Sequence, residues 1–107
     1  MHRLHPEKLI TVVTSEVLAD RLIASVRKRG ASGYTLSRAR GAGSEGSQSG
    51  LLWFDTNLML KVILPPERLP GLLDDLSALI DKGYHLTVFV SDVTVLRHEK
   101  YERPLAP

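Results

Sequence analysis

The chain has 107 residues, 43% of them hydrophobic and 24% charged, which is enough for one compact domain and too few for two. Fourteen Lys and Arg against twelve Asp and Glu leave a net charge of +2, far short of a dedicated nucleic-acid binder. The absence of cysteine excludes disulfides, thiolate metal sites and cysteine nucleophiles. No apolar run approaches the roughly 20 residues that span a bilayer, and Met1 to Glu7 lack the apolar core of a secretory signal, so the cytoplasm is the expected location without membrane insertion.

Lys8 to Thr14 is β-branched and bounded by polar residues, the pattern of a buried strand. Ser15 can cap a following helix, with Glu16 in its first turn, and Ala19, Leu22, Ile23 and Val26 make one apolar face. Arg27, Lys28 and Arg29 suit the dipole at its C-terminal end, which Gly30 closes. A second strand is expected over Tyr34 to Arg40. The ten residues from Gly41 to Gly50 hold four glycines and three serines and cannot form a regular element, so they read as a mobile loop.

Leu51 to Leu64 resumes as a strand, strongest from Leu58 onward. Pro65 and Pro66 stop it, and Pro66 suits the first turn of a second helix. Leu69, Leu72, Leu73, Leu76, Leu79 and Ile80 give that helix a core-facing stripe, with Pro70 in its first turn or marking a late start. Gly83 closes it, Tyr84 to Leu96 makes the last strand, and the tail from Arg97 is expected to fray. The order strand, helix, strand, strand, helix, strand predicts an α+β, ferredoxin-like βαββαβ sandwich, a four-stranded antiparallel sheet with two helices on one face. Ile10, Val12 and Val13, then Leu58 to Leu64, then Val88 to Val90, are apolar on both faces, so the helix-free face also needs cover. Self-association in closed cyclic symmetry supplies it most simply.

Few residues point to chemistry. His2, His5, His85 and His98 lack metal-ligand spacing, so no metal site is expected. No serine sits in a strand–turn–helix elbow between glycines, and Asp74 and Asp75 are adjacent on a helix and point apart as solvated surface. No catalytic residue is therefore assigned. Trp53 and Phe54 suit core packing, or a partner-docking patch. A Gly- and Ser-rich loop can wrap N–H groups around an anion, although most such loops only connect strands.

The segments Lys8-Leu-Ile-Thr-Val-Val-Thr, Gly30-Ala-Ser-Gly-Tyr-Thr-Leu-Ser-Arg-Ala-Arg-Gly-Ala-Gly and Thr87-Val-Phe-Val-Ser-Asp-Val resemble the PII signalling family over roughly residues 8 to 98. Gly33-Tyr-Thr and Arg40-Gly-Ala-Gly43 stand where the family has its Gly-x-Thr and (Lys/Arg)-Gly-Phe-Gly signatures. The resemblance implies one PII-like domain over residues 1–107, assembled as a homotrimer with adenine nucleotides in clefts between subunits. It makes residues of about 42–55 the T-loop, which grips partner proteins, and about 98–107 a frayed tail. It assigns nucleotide contacts to Thr35, Gly41, Ala42, Gly43, Ser44, Lys61, Lys82, Gly83, Thr87, Arg97 and Lys100. Arg40, Ser44, Glu45, Gly46 and Ser47 are expected to hold an anion such as bicarbonate, or to meet the partner.

Three departures refine the expectation. The T-loop is short and has no tyrosine, which removes the uridylylation seen in some nitrogen-regulatory members. Glu45 replaces the glutamine that helps hold magnesium, ATP and 2-oxoglutarate. Asp81-Lys-Gly-Tyr-His-Leu-Thr lacks the Gly-x-Gly-Lys phosphate loop, so ADP or AMP is expected ahead of ATP or cyclic AMP. These features are most similar to the branch tied to carboxysomes and bicarbonate uptake, which implies a membrane transporter or carbon-metabolism protein as partner. Rival readings on the same fold are a small nucleotide-hydrolysing enzyme and a trimeric cation-tolerance-type protein. An RNA-binding module needs exposed aromatics on the central strands, which are missing here.

Overall fold

The computed structural model describes residues 3–39 and 57–105. The order is β1 (His5–Ser15), a 3-10 turn (Glu16–Leu18), α1 (Ala19–Lys28), β2 (Thr35–Ala39), β3 (Asn57–Leu64), a second 3-10 turn (Pro66–Arg68), α2 (Leu69–Asp81), β4 (Leu86–Val95) and a short α3 (His98–Glu102). The four strands form one antiparallel sheet in the order β2-β3-β1-β4, the βαββαβ ferredoxin-like arrangement.

β1 runs three residues further toward the N-terminus than expected. Pro6 argues against a strand in sequence, yet it pairs with Thr94 beyond the point where β3 ends opposite Lys8. There β1 has a single neighbour, so the missing N–H costs no central ladder bond.

Strand pleating sorts side chains by parity. Ile10 and Val12, with Leu58, Leu60, Val62 and Leu64, face the helices and pack against Leu22, Val26, Leu72, Leu76 and Leu79. Ile80, expected on that stripe, is 45% exposed, because the buried stripe is narrower than the six-residue pattern and Ile80 lies on its border in the last turn. Pro70 lies in the first turn of α2, after the 3-10 turn that Pro66 opens.

α1 and α2 end the same way. Gly30 (φ 80°) donates to Arg27 O and Ala31 to Val26 O; Gly83 (φ 102°) donates to Ile80 O and Tyr84 to Leu79 O. These are paired Schellman closures, and only glycine adopts the left-handed backbone they need without strain. Ser15 caps the first 3-10 turn by accepting from Val17 N.

Asp75 is not solvated surface as the sequence suggests. Its side chain retains 15% exposure and accepts two bonds from Arg29, with Lys28 also in range. Asp74 is exposed. The basic end of α1 therefore also serves as a tether to α2.

The helix-free face is partly covered from within the chain. α3 lies against β3 where the sequence predicts a frayed tail, and Leu105 N donates to Ala31 O at 2.7 Å. Toward β4 the cover stops, and Phe89 is 49% exposed on that face.

Candidate functional site

The loop that follows the Gly30 closure carries Ser32, Gly33 and Tyr34 to the start of β2, where Thr35 pairs with Lys61. Thr35, Lys61, Thr11 and Phe89 form one cross-strand row on the helix-free face, by the registers of all three strand pairs. Leu9 and Ile63 are partners in the adjacent row of that face. α3 lies against this end of the sheet and brings Lys100 and Tyr101 to it. Together Leu9, Ser32, Gly33, Tyr34, Thr35, Lys61, Ile63, Lys100 and Tyr101 line a cavity of about 560 Å3.

This lining combines two chemistries. Leu9, Ile63, Tyr34 and Tyr101 offer apolar and aromatic surface suited to a flat ring, while Lys61 and Lys100 offer cations and Thr35 and Ser32 hydroxyls. Lys100 Nζ lies 5.5 Å from the centroid of the Tyr101 ring. A second cleft of about 330 Å3 shares Ser32 and Lys100 with the first and adds Arg97, Glu99 and Arg103. The joint rim thus carries four cations against one carboxylate, an arrangement that attracts an anion such as a phosphate group.

Four of the residues expected at a nucleotide, Thr35, Lys61, Arg97 and Lys100, are therefore gathered at one corner of the sheet. Lys82, Gly83 and Thr87 are not. Lys82 and Gly83 are exposed at the end of α2, and Thr87 sits on β4, the opposite edge strand, in the row of Val13, Met59 and Ser37. Three strand spacings, roughly 14 Å, separate Thr35 on one edge from Thr87 on the other, so one phosphate group cannot touch both side chains within a single subunit. Arg40, Gly41, Ala42, Gly43, Ser44, Glu45, Gly46 and Ser47, with Trp53 and Phe54, lie outside the described residues.

Sequence reasoning missed the apolar half of the cavity and Ser32. The signal was available: Leu9, Lys61 and Ile63 share an odd-numbered parity across a paired register, which sets them on one face. Tyr101 had no signal, because nothing in the sequence shows that the tail turns back. A smaller cleft of about 200 Å3, lined by Glu16, Leu36, Arg38 and Asn57 among others, holds none of the residues expected at a nucleotide. Among the described residues no group of His, Asp and Glu is arranged to hold a metal ion, and no helix is long and apolar enough to cross a membrane.

The described residues thus form a ferredoxin-like sheet with a basic, aromatic-lined cavity at one corner. Residues 7–100 match the family model of nitrogen regulatory protein P-II. The chain belongs to that family. Among solved structures it is similar to a PII-like protein of Thermus thermophilus assigned to signaling, at 38% identity over 92% of this chain and 97% of that one, with a TM-score of 0.76. It is also similar to CPII of Thiomonas intermedia bound to ADP and bicarbonate, at 25% identity over 94% and 99%, TM-score 0.82. Bacillus subtilis GlnK, at 14% identity over 83% and 86%, TM-score 0.63, shares the fold. Comparison with curated proteins gives no match.

Proposed function

We propose that this protein is a cytoplasmic regulatory sensor that binds an adenine nucleotide, ADP or AMP ahead of ATP or cyclic AMP, at the corner cavity. The observation that carries the reading is the convergence of Thr35, Lys61 and Lys100 on an apolar and aromatic floor, with Arg97 beside them. The floor accepts a base, and the cations meet phosphates. Support for ADP comes from the relative that holds ADP and bicarbonate.

The nucleotide lies between subunits of a homotrimer. The separation of the Thr35 and Thr87 edges supports this, since a neighbour's Lys82, Gly83 and Thr87 can complete the phosphate contacts that one subunit leaves open. The exposed Phe89 marks the part of the helix-free face that assembly covers. Bicarbonate is the second ligand, held by Arg40, Ser44, Glu45, Gly46 and Ser47, with Gly41, Ala42 and Gly43 at the nucleotide phosphates. The segment 42–55 then contacts a partner, of which an inorganic-carbon transporter fits the family branch. Ligand contacts to this segment couple ligand occupancy to partner binding.

Calorimetric titration with ADP, AMP, ATP and cyclic AMP, each with and without bicarbonate, tests the reading. ADP or AMP should bind, bicarbonate should change that affinity, and Lys61→Ala should weaken it about tenfold, the scale of one charge-assisted contact. Release of inorganic phosphate from ATP or ADP at catalytic rates would favour the hydrolase instead.

A further inference from the structure

The C-terminal segment has no fold of its own to hold it. α3 is five residues long and has no side-chain cap at its N-terminus, and isolated helices of that length do not persist in water. Yet it brings Lys100 and Tyr101 to the cavity. Its position must come from outside the segment. One side chain stands at the junction: Arg68, in the turn before α2, donates Nη1 to Gly30 O at 2.7 Å and Nη2 to Glu102 O at 2.9 Å.

We infer that Arg68 is a positioning residue, a clamp that docks the C-terminal segment on its own subunit and so sets the Lys100 and Tyr101 wall of the ligand cavity. The first acceptor is fixed because Gly30 is held by the Schellman closure of α1, with the Arg68 side chain passing 3.6 Å from where a Cβ on Gly30 would lie. The second acceptor is the last carbonyl of α3, one of the orphan groups at a helix C-terminus that a cation suits. A guanidinium can reach both because its donors diverge in a rigid fork, and an ammonium cannot reproduce that span. Leu105 N to Ala31 O closes the segment three residues further on. The chain just beyond the wall is thus tied at two points, Glu102 and Leu105, to the loop that also supplies Ser32 and Gly33 to the cavity.

The proposal rests on the nucleotide reading for its ligand and on geometry alone for the docking. Two readouts keep these apart. Amide hydrogen exchange of the ligand-free protein reports docking: Leu105 N–H should be protected in the wild type and lose that protection in Arg68→Ala, while Ile10 and Val62 stay protected. ADP titration reports the wall: Arg68→Ala should weaken ADP about tenfold, with Arg68→Lys intermediate. In a Lys100→Ala background the same substitution should cost less, since Arg68 acts through Lys100. Leu105→Pro removes the Leu105 donor itself, so its readouts are ADP affinity and the exchange of Lys100 N–H, which donates to Arg97 O at 3.1 Å. Both should change as in Arg68→Ala, and the variant serves if Arg68→Ala fails to fold. Unchanged Leu105 protection overturns the clamp, as does loss of protection with unchanged ADP affinity. A wild type that binds no adenine nucleotide overturns the nucleotide reading, and the clamp then stands or falls on the exchange of Leu105.

Discussion

Arg29 holds Asp75 with two parallel hydrogen bonds, Nε to Oδ2 at 2.8 Å and Nη2 to Oδ1 at 2.7 Å. Lys28 Nζ stands 3.6 Å from the same Oδ1. The pair joins the end of α1 to the middle of α2, the two helices whose inner faces cover the sheet. A bidentate fork of this kind fixes geometry as well as contributing energy.

The pair makes stability depend on acid. Chiefly through the Arg29 hydrogen bond, the Asp75 carboxyl is held below its ordinary value of 3.8, against the opposing effect of burial. A depressed folded-state pKa contributes stability that is fully present above the unfolded value and is lost as pH falls through the folded one. Asp75→Asn should therefore lower Tm by a few degrees at neutral pH. The gap to wild type should shrink once pH drops below about 3.8 and close when the folded-state value is passed. Thermal melts across that range check the sign.

Gly71 tests the same contact from the other side. A Cβ there would lie 3.0 Å from Arg29 Cδ and 3.1 Å from Nη1, so alanine makes the Arg29 side chain shift by a few tenths of an ångström against its two bonds to Asp75. In the wild type the helix-propensity gain and the strain on the ion pair oppose each other. In an Arg29→Ala background only the gain remains, up to about 1 kcal/mol of stabilisation. Chemical denaturation of the four variants separates the two effects.

The buried stripe of α2 makes a sharper contrast. Leu76 is 2% exposed and Ile80 45%. Leu76→Ala should cost about 2–5 kcal/mol by the large-to-small rule. Ile80→Ala should remain within about 0.5 kcal/mol, as surface substitutions do. Equal costs would mean that Ile80 packs as its sequence spacing suggests.

That contrast shows where the sequence is legible. Periodicity found α1, α2 and all four strands, because Leu22, Val26, Leu72 and Leu76 repeat at helical spacing and the strands are β-branched. Element ends were less clear where two local rules compete: Pro6 signals a strand stop, and only the early end of β3 makes it tolerable. Asp75 looked solvated because its partner Arg29 is 46 residues away, a distance no local pattern spans. The candidate site was half legible. Thr35 and Lys61 sit on strands whose register follows from the fold. Tyr101 and the clamping role of Arg68 depend on a tail that turns back, which is a tertiary event without a local signature.

Assembly gives the next expectation. Phe89 is half exposed in the row of Lys61 and Thr11, on the face without helices. Phe89→Asp should leave the circular dichroism spectrum unchanged and shift the mass measured by light scattering from trimer toward monomer. An unchanged mass would move the interface elsewhere on the subunit.

The central claim is that an adenine nucleotide binds at the corner cavity. Amide chemical-shift mapping of the labelled protein during an ADP titration addresses it most directly. The account predicts shifts concentrated at residues 32–35, at Lys61 and Ile63, and at 97–101, with a second group at 82–87 from the neighbouring subunit. Shifts confined to the cleft of Glu16, Leu36 and Arg38, or none at saturating ADP, would contradict it.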